Sequence, residues 1–384
     1  MPNEFAIKVW EASNLPSDWS KRIKALNEKD SSALENTVKG VIAEVRQKGD
    51  AALIEYTEKF DKTKLTPKIL KVTSQEIKAA YKAVTPEQIA ALKLMKEKIT
   101  AIDTQTLKQQ PQKTVREGIT VQTVLRPIES VGCYVPGGLA AYPSTLVMTA
   151  TPAKVAGVPR IVVCSPPTSQ GTINPLILVA ADICEVDEIY KVGGVQAIAA
   201  LAYGTQTIKP VKKIVGPGSK YVTAAKVLVS QEVAIDMPAG PSEILVLADE
   251  TSDPKLIAAD MISQAEHGTD STAGLITTSK ELAKQVQKNL QKMVDEAERS
   301  DIIKQSLSTY GFIITCTNTD ELIKLANEYA TEHLEIMTKD AMEIAEKMTS
   351  PGVVLVGPYS PVALSDYGSG TNHVLPTGGF GHAF

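Results

Sequence analysis

From Gly137 onward the chain alternates apolar strand-like runs, ending in Gly or Pro, with helical runs of similar length. No other feature constrains the fold as much. RIVVCSPP, EIYKVGG, KKIVGPG, EVAIDMPAG and EILVLAD read as strands, and STLVMTATPAKVAG, NPLILVAADIC, QAIAALAYG and KYVTAAKVLVSQ as the helices between them. The rhythm continues through AGLITTS, GFIITC, HLEIMT and GVVLVG. Such alternation with short connections implies parallel strands covered by helices on both faces. A chain of 384 residues exceeds one compact core. The expected fold is therefore α/β: two Rossmann-like doubly wound parallel-sheet domains, one inserted in the other, with a helical N-terminal segment. Residues 131–244 would form the inserted unit, 31–130 plus 245–384 the discontinuous one, and 1–30 a short helical lead-in.

Before Gly137 the texture is different. Ser32 to Asp61 reads as two helices broken at Gly49–Asp50. Thr73 and Glu76 make a capping box before IKAAYKAV, and Pro86 opens a helix predicted to run to about Asp103. TVREGITVQTVLRPIESVGCYVP alternates, is rich in Val and Thr, and reads as a β-hairpin turning at Glu117–Gly118.

A chain that is 43% hydrophobic and 22% charged is ordinary for a soluble globular protein. A net charge of -4 carries no footprint for nucleic acid or an anionic membrane surface. No apolar run approaches the length of a membrane span, and the N-terminus lacks a basic stretch followed by an apolar one. Cys133, Cys164, Cys184 and Cys316 are scattered, with no CxxC pair. They suit reduced, buried thiols, and the chain is expected to be cytoplasmic.

Imidazole chemistry must come from His267, His333, His373 and His382, all in the last third. Gln264 and His267, three apart at the end of the helix DPKLIAADMISQAEH, project from one side of it, and Glu266 does not. That helix follows EILVLAD, so the pair would sit at a strand–helix edge. Glu332 and His333 lie between ELIKLANEYA and HLEIMT. An imidazole is the natural base near neutral pH, and a carboxylate beside it can activate water. The plainer reading is a helix-terminal histidine bonded to backbone. Asp366 and His373 fall in SDYGSGTNHVLPTGG, whose four glycines argue against core. Oxygen and imidazole donors from Gln264, His267 and Asp366 could combine as a metal site with an open position, although Gln is an uncommon ligand. The glycines at 137–138, 193–194, 216, 218 and 240 suit either phosphate approach or plain turns. No complete GxGxxG occurs; GPGSKY has two of the three glycines.

Taken together, VGCYVPGGLAAYPSTLVM, VGGVQAIAALAYGT, KIVGPGSKYV, IDMPAGPSEILVLAD, SQAEHGTD, ATEHLEIMT and SDYGSGTNHVLPT closely resemble the histidinol dehydrogenases, in that family's order, over about residues 125–377. The resemblance implies a zinc- and NAD-dependent homodimer with an active site shared between subunits. It would oxidise L-histidinol to L-histidine, the last steps of histidine biosynthesis, in two hydride transfers through L-histidinal. Residue by residue, Gln264, His267 and Asp366 match zinc ligands, and Glu332 and His333 match the acid/base pair. Ser242 and His373 match substrate contacts, beside Gln264, His267, His333 and Asp366. Tyr134 and Gln196 match NAD contacts. Ser219 stands where the family usually has Asn.

The family continues a few dozen residues past the segment matching GHAF. There the resemblance places one more zinc-ligand His and a Glu at the substrate, reaching the neighbouring subunit. His382 does not match that position. A chain stopping at Phe384 is expected to hold zinc weakly and to be little active as it stands. The alternatives are a sister NAD/zinc dehydrogenase acting on another small polyol, and an inactive truncated binding form.

Overall fold

The computed structural model describes residues 5–17, 19–20, 28–109, 113–137, 141–237 and 240–383, with backbone alone for 28–31. In chain order the strands are β1 (Lys8–Glu11), β2 (Lys113–Arg116), β3 (Ile119–Gln122), β4 (Val131–Tyr134), β5 (Ile161–Ser165), β6 (Glu188–Lys191), β7 (Lys213–Val215), β8 (Ala234–Ile235), β9 (Glu243–Ala248), β10 (Thr272–Thr277), β11 (Phe312–Thr315), β12 (His333–Ile336) and β13 (Val353–Val356). The main helices are α1 (Glu28–Lys48), α2 (Asp50–Asp61), α3 (Ser74–Ala80), α4 (Pro86–Gln109), α5 (Pro143–Val155), α6 (Pro175–Ile183), α7 (Gly194–Tyr203), α8 (Lys220–Val229), α9 (Pro254–Ala265), α10 (Lys280–Glu296), α11 (Ser300–Thr309) and α12 (Thr319–Tyr329). None of the described helices is long and apolar enough to cross a membrane.

The chain divides into two compact units. The first comprises Met1–Glu28, Ala239–Ser365 and Leu375–Phe384, and the second Lys29–Pro238 and Asp366–Val374. The second unit holds a five-stranded sheet in the order β6-β5-β4-β7-β8, all parallel. Chain order is thus 3-2-1-4-5, a doubly wound arrangement whose direction reverses between β4 and β7. The first unit holds a six-stranded parallel sheet, β1-β11-β10-β9-β12-β13. From β9 onward it repeats the same 3-2-1-4-5 order, reversing between β9 and β12, with β1 added outside β11. The central strands β4, β5, β9, β10 and β11 are buried along their whole length. Strands covered on both faces read as continuous apolar runs, which is why they stand out in the sequence.

Three expectations need correction. The lead-in holds a strand, β1, which pairs parallel with β11. Four residues are too short for either periodicity to register. Residues 31–130 do not join the unit of 245–384 as expected: their described apolar side chains fill the cores of the five-stranded sheet. Val38, Val45, Leu53 and Leu70 pack with Tyr134, Ile198 and Ile214, and Leu92 and Ile99 pack with Leu146 and Ile177. Val72 N–H donates to Ile189 and Lys191 N–H to Leu70, so this stretch borders β6. An apolar helix stripe says that a core exists, not which of two cores it joins. The β2–β3 hairpin turns at Glu117–Gly118 as expected, with both residues at positive φ, but it ends at Gln122; Val131–Tyr134, read as part of the same hairpin, is β4 and pairs parallel with β5 and β7. The Thr73–Glu76 capping box is present, and α4 runs on to Gln109.

Candidate functional site

In the first unit the candidate residues gather at the amino edge of the sheet, where each strand begins. Ser242 immediately precedes β9, and Glu332 immediately precedes β12. Gln264 lies in the last turn of α9, the helix returning from the far edge before β10, and His267 follows two residues after its end. Ligands of open α/β sheets usually lie at the opposite, carboxyl edge. In this unit that edge, at the β9–β12 reversal, is bridged by the chain itself. Ser252 Oγ donates to the Met337 carbonyl at 3.0 Å, and Asp249 Oδ2 accepts the Lys339 N–H at 2.8 Å.

The Glu332–His333 pair is built from the end of a β ladder. β12 runs parallel to β9 with His333 opposite Ile244, so the Glu243 peptide lies just beyond the last paired residues. Buried peptide groups must find partners, and here side chains supply them. Glu332 Oε2 accepts the Glu243 N–H at 3.0 Å, and His333 Nδ1 lies 3.1 Å from the Glu243 carbonyl. With Nδ1 donating to that carbonyl, the lone pair of the neutral ring is on Nε2. The carboxylate is 3.5 Å from Nδ1, and His333 is only 3% exposed. The backbone-satisfied histidine and the candidate base are therefore the same residue, with one nitrogen for each role. Glu243 is held in turn by Gly378, whose N–H donates to its Oε1 at 2.9 Å. Ahead of the pair, Ala330 takes the left-handed conformation (φ 51°) that closes α12.

Helix α9 ends at Ala265, slightly earlier than expected, and its two candidates differ in exposure. Gln264 is 2% exposed, and its Oε1 has no hydrogen-bond partner among the described residues. A buried amide oxygen without a partner is costly, and a cation or substrate donor would satisfy it. His267 is exposed, with Nδ1 3.0 Å from the Ser263 carbonyl, an arrangement that orients Nε2 for a ligand. Among the described residues, no three His, Cys, Asp or Glu side chains converge as a metal cluster. An amide oxygen lies outside that set.

The second unit carries the residues expected at the cofactor at the carboxyl edge of its sheet. Tyr134 ends β4, and its hydroxyl accepts the Gly194 N–H at 3.1 Å, at the start of α7. Burial pushes this phenol up to about 12, so it stays protonated. Gln196, on the first turn of α7, is 1% exposed, with Oε1 unpartnered among the described residues. Tyr134, Gly194 and Gln196 thus come together. After β7, Gly216 has φ +114°, and a Cβ there would sit 2.2 Å from the Tyr134 carbonyl oxygen. Only glycine allows the turn to approach β4 so closely. Ser219 follows as the N-cap of α8, with no side-chain capping bond. Gly137 and Gly193 serve packing instead, since a Cβ on either would run into Pro166. Gly138 lies outside the described residues. Asp366 and His373 belong to the short segment Asp366–Val374 of this unit. Lys98 Nζ donates to the Gly368 carbonyl, and Asn372 Nδ2 donates to that of Met148 at 2.9 Å. Asp366 is buried, so these anchors make the segment part of the packed unit despite its glycines.

Four further residues were not expected from the sequence. Besides Glu243, they are the buried Lys226 with its ion-pair partner Asp236, and the buried Glu335. Lys226 sits between Val222 and Val229 on the buried stripe of α8, and Glu335 shares a strand face with His333. A charged residue at a core-facing position of an apolar repeat was the available signal.

Paired doubly wound sheets, with a buried carboxylate–imidazole pair on one and a glycine-lined crevice on the other, form a scaffold suited to an α/β oxidoreductase. The sequence pattern of the histidinol dehydrogenases matches residues 24–384. The histidinol dehydrogenase of Clostridium acetobutylicum is 48% identical over 379 residues, covering 98% of this chain and 87% of that protein. That of Methanothermobacter thermautotrophicus is 47% identical over 342 residues, covering 89% and 80%. The crystal structure of histidinol dehydrogenase from Elizabethkingia anophelis superposes with a TM-score of 0.91 at 39% identity, covering all of this chain and 87% of that one. The chain belongs to the histidinol dehydrogenase family, and with it to the oxidoreductases.

Proposed function

We propose that the protein oxidises L-histidinol to L-histidine through L-histidinal, with two NAD molecules as hydride acceptors and zinc as a bound metal. The observation that carries the reading, beyond family membership, is the Glu332–His333 pair locked onto the Glu243 peptide. The orphaned, buried Gln264 oxygen and the oriented His267 ring fit a metal, with Asp366 as the third donor drawn from the resemblance. When bound, zinc supplies Lewis-acid polarisation of substrate groups, and NAD takes up the hydrides.

The residues of the chain handle the protons. His333 Nε2 takes the hydroxyl proton of histidinol as hydride leaves the carbinol carbon, giving the aldehyde. Glu332 takes a proton from water as that water adds to the aldehyde, and the proton held on His333 Nε2 passes to the former carbonyl oxygen, giving the hydrate and freeing His333 for the next step. Loss of the second hydride and of a hydroxyl proton from the hydrate yields the carboxylic acid. Ser242 and His373 would hold the substrate, and Tyr134, Gln196 and Ser219 the cofactor. The working form is proposed to be a cytoplasmic homodimer with an active site shared between subunits.

The test is turnover with L-histidinol, NAD and zinc. The expected stoichiometry is two NADH per L-histidine, with no free aldehyde accumulating. Oxidation of another small diol in preference to histidinol, or no dehydrogenation at all, would overturn the reading.

A further inference from the structure

Lys226, 1% exposed and on α8, forms an ion pair in the second unit with Asp236, just after β8, whose side chain is 10% exposed. Burying two charges carries a large desolvation cost, and an apolar pair of similar volume is often as stable. Their other bonds show what the pair holds. Asp236 Oδ2 accepts the Gly216 N–H at 2.7 Å. Lys226 Nζ donates to the Gly216 carbonyl at 2.8 Å and to that of Met237 at 3.2 Å. Asp236 Oδ1 faces the same ammonium as its ion-pair partner. Both polar groups of Gly216 are thus gripped by one ion pair, at the residue whose positive φ turns the chain from β7 into α8. This turn lies at the β4–β7 reversal, where a doubly wound sheet binds its dinucleotide.

We propose that Lys226 and Asp236 are positioning residues that fix the Gly216 turn so that the following amides and the start of α8 receive the dinucleotide's pyrophosphate. The proposal rests on reading this crevice as the cofactor site. Neither side chain touches the cofactor. Each acts through the Gly216 peptide, which in their absence would be free to rotate and spoil the approach of phosphate to the helix start.

The test uses the full chain with Lys226→Met and Asp236→Leu together, which removes the pair without stranding a buried charge. Without cofactor, hydrogen exchange of the Gly216 amide should speed up by about 10–100-fold, the worth of a hydrogen bond to a charged group. The apparent KM for NAD should rise about tenfold or more, with kcat at saturating NAD within about twofold and the KM for histidinol unchanged. Unchanged exchange, or faster exchange with an unchanged KM for NAD, overturns the proposal. If the unsubstituted protein does not use NAD, the cofactor reading fails, and the exchange result still decides whether the pair holds the turn. If the double variant does not fold, Asp236→Asn should shift both readouts the same way by less, and no shift in either overturns the proposal.

Discussion

Glu335 offers a test of the first unit's electrostatics that needs no substrate. It lies two residues after His333 on the same face of β12 and is 1% exposed. Its Oε1 accepts the Val362 N–H at 2.8 Å. Burial, and then the neighbouring Asp260 carboxylate, push the Glu335 carboxyl up to about 9, against which the Val362 bond and the His333 ring act more weakly. Burial raises Asp260 as well. The folded protein therefore keeps Glu335 protonated at neutral pH, whereas the unfolded chain ionises it above about 4.3. An acid whose folded pKa is raised contributes fully below its unfolded pKa. That contribution is lost as pH climbs toward the folded value. Within the window the loss is about 1.4 kcal/mol per pH unit, giving a ceiling of about 2.7 kcal/mol between pH 5.5 and 7.5. Glu335→Gln cannot ionise, keeps an oxygen for Val362, and leaves Asp260 in place. Denaturant unfolding at the two pH values should show wild type losing up to that much more stability than the variant. Parallel pH dependence, or a steeper loss in the variant, would refute the assignment of a protonated Glu335.

The other predictions concern the two candidate sites. His333→Asn should lower turnover by about 10²–10⁴-fold, the usual range for a lost general base; zinc content should stay unchanged, and unimpaired turnover removes His333 from the mechanism. Glu332→Gln should slow oxidation of supplied histidinal more than the first oxidation of histidinol, because only the second step needs activated water; equal losses count against that role. Gly216→Ala places a methyl group 2.2 Å from the Tyr134 carbonyl at φ +114°, so it should destabilise the protein by at least about 1–3 kcal/mol, and an unchanged thermal midpoint would show that the turn can relax.

What the sequence made legible follows from how each signal arises. Parallel strands buried on both faces advertise themselves as apolar runs, so β5 to β13 and most of their helices can be read directly, whereas β4 reads as the end of the hairpin stretch before it. Glu332, His333 and Gln264 could be named because adjacency and helical spacing are local. Glu243 could not be, because its part is played by its peptide group, whose partners sit 89 and 90 residues away. The partition of α1 to α4 is not legible for a related reason, since a stripe of apolar residues carries no address. The least legible feature is the inversion between the two sheets. Both run 3-2-1-4-5, so topology alone would place equivalent crevices at two carboxyl edges. In the second unit that crevice is lined by Tyr134, Gly194 and Gly216. In the first it is stitched shut by Asp249 and Ser252, and the Glu–His pair stands at the opposite, amino edge. The two halves share a topology and differ in which edge has polar groups to offer. That difference rests on a few capping hydrogen bonds, and periodicity does not record it.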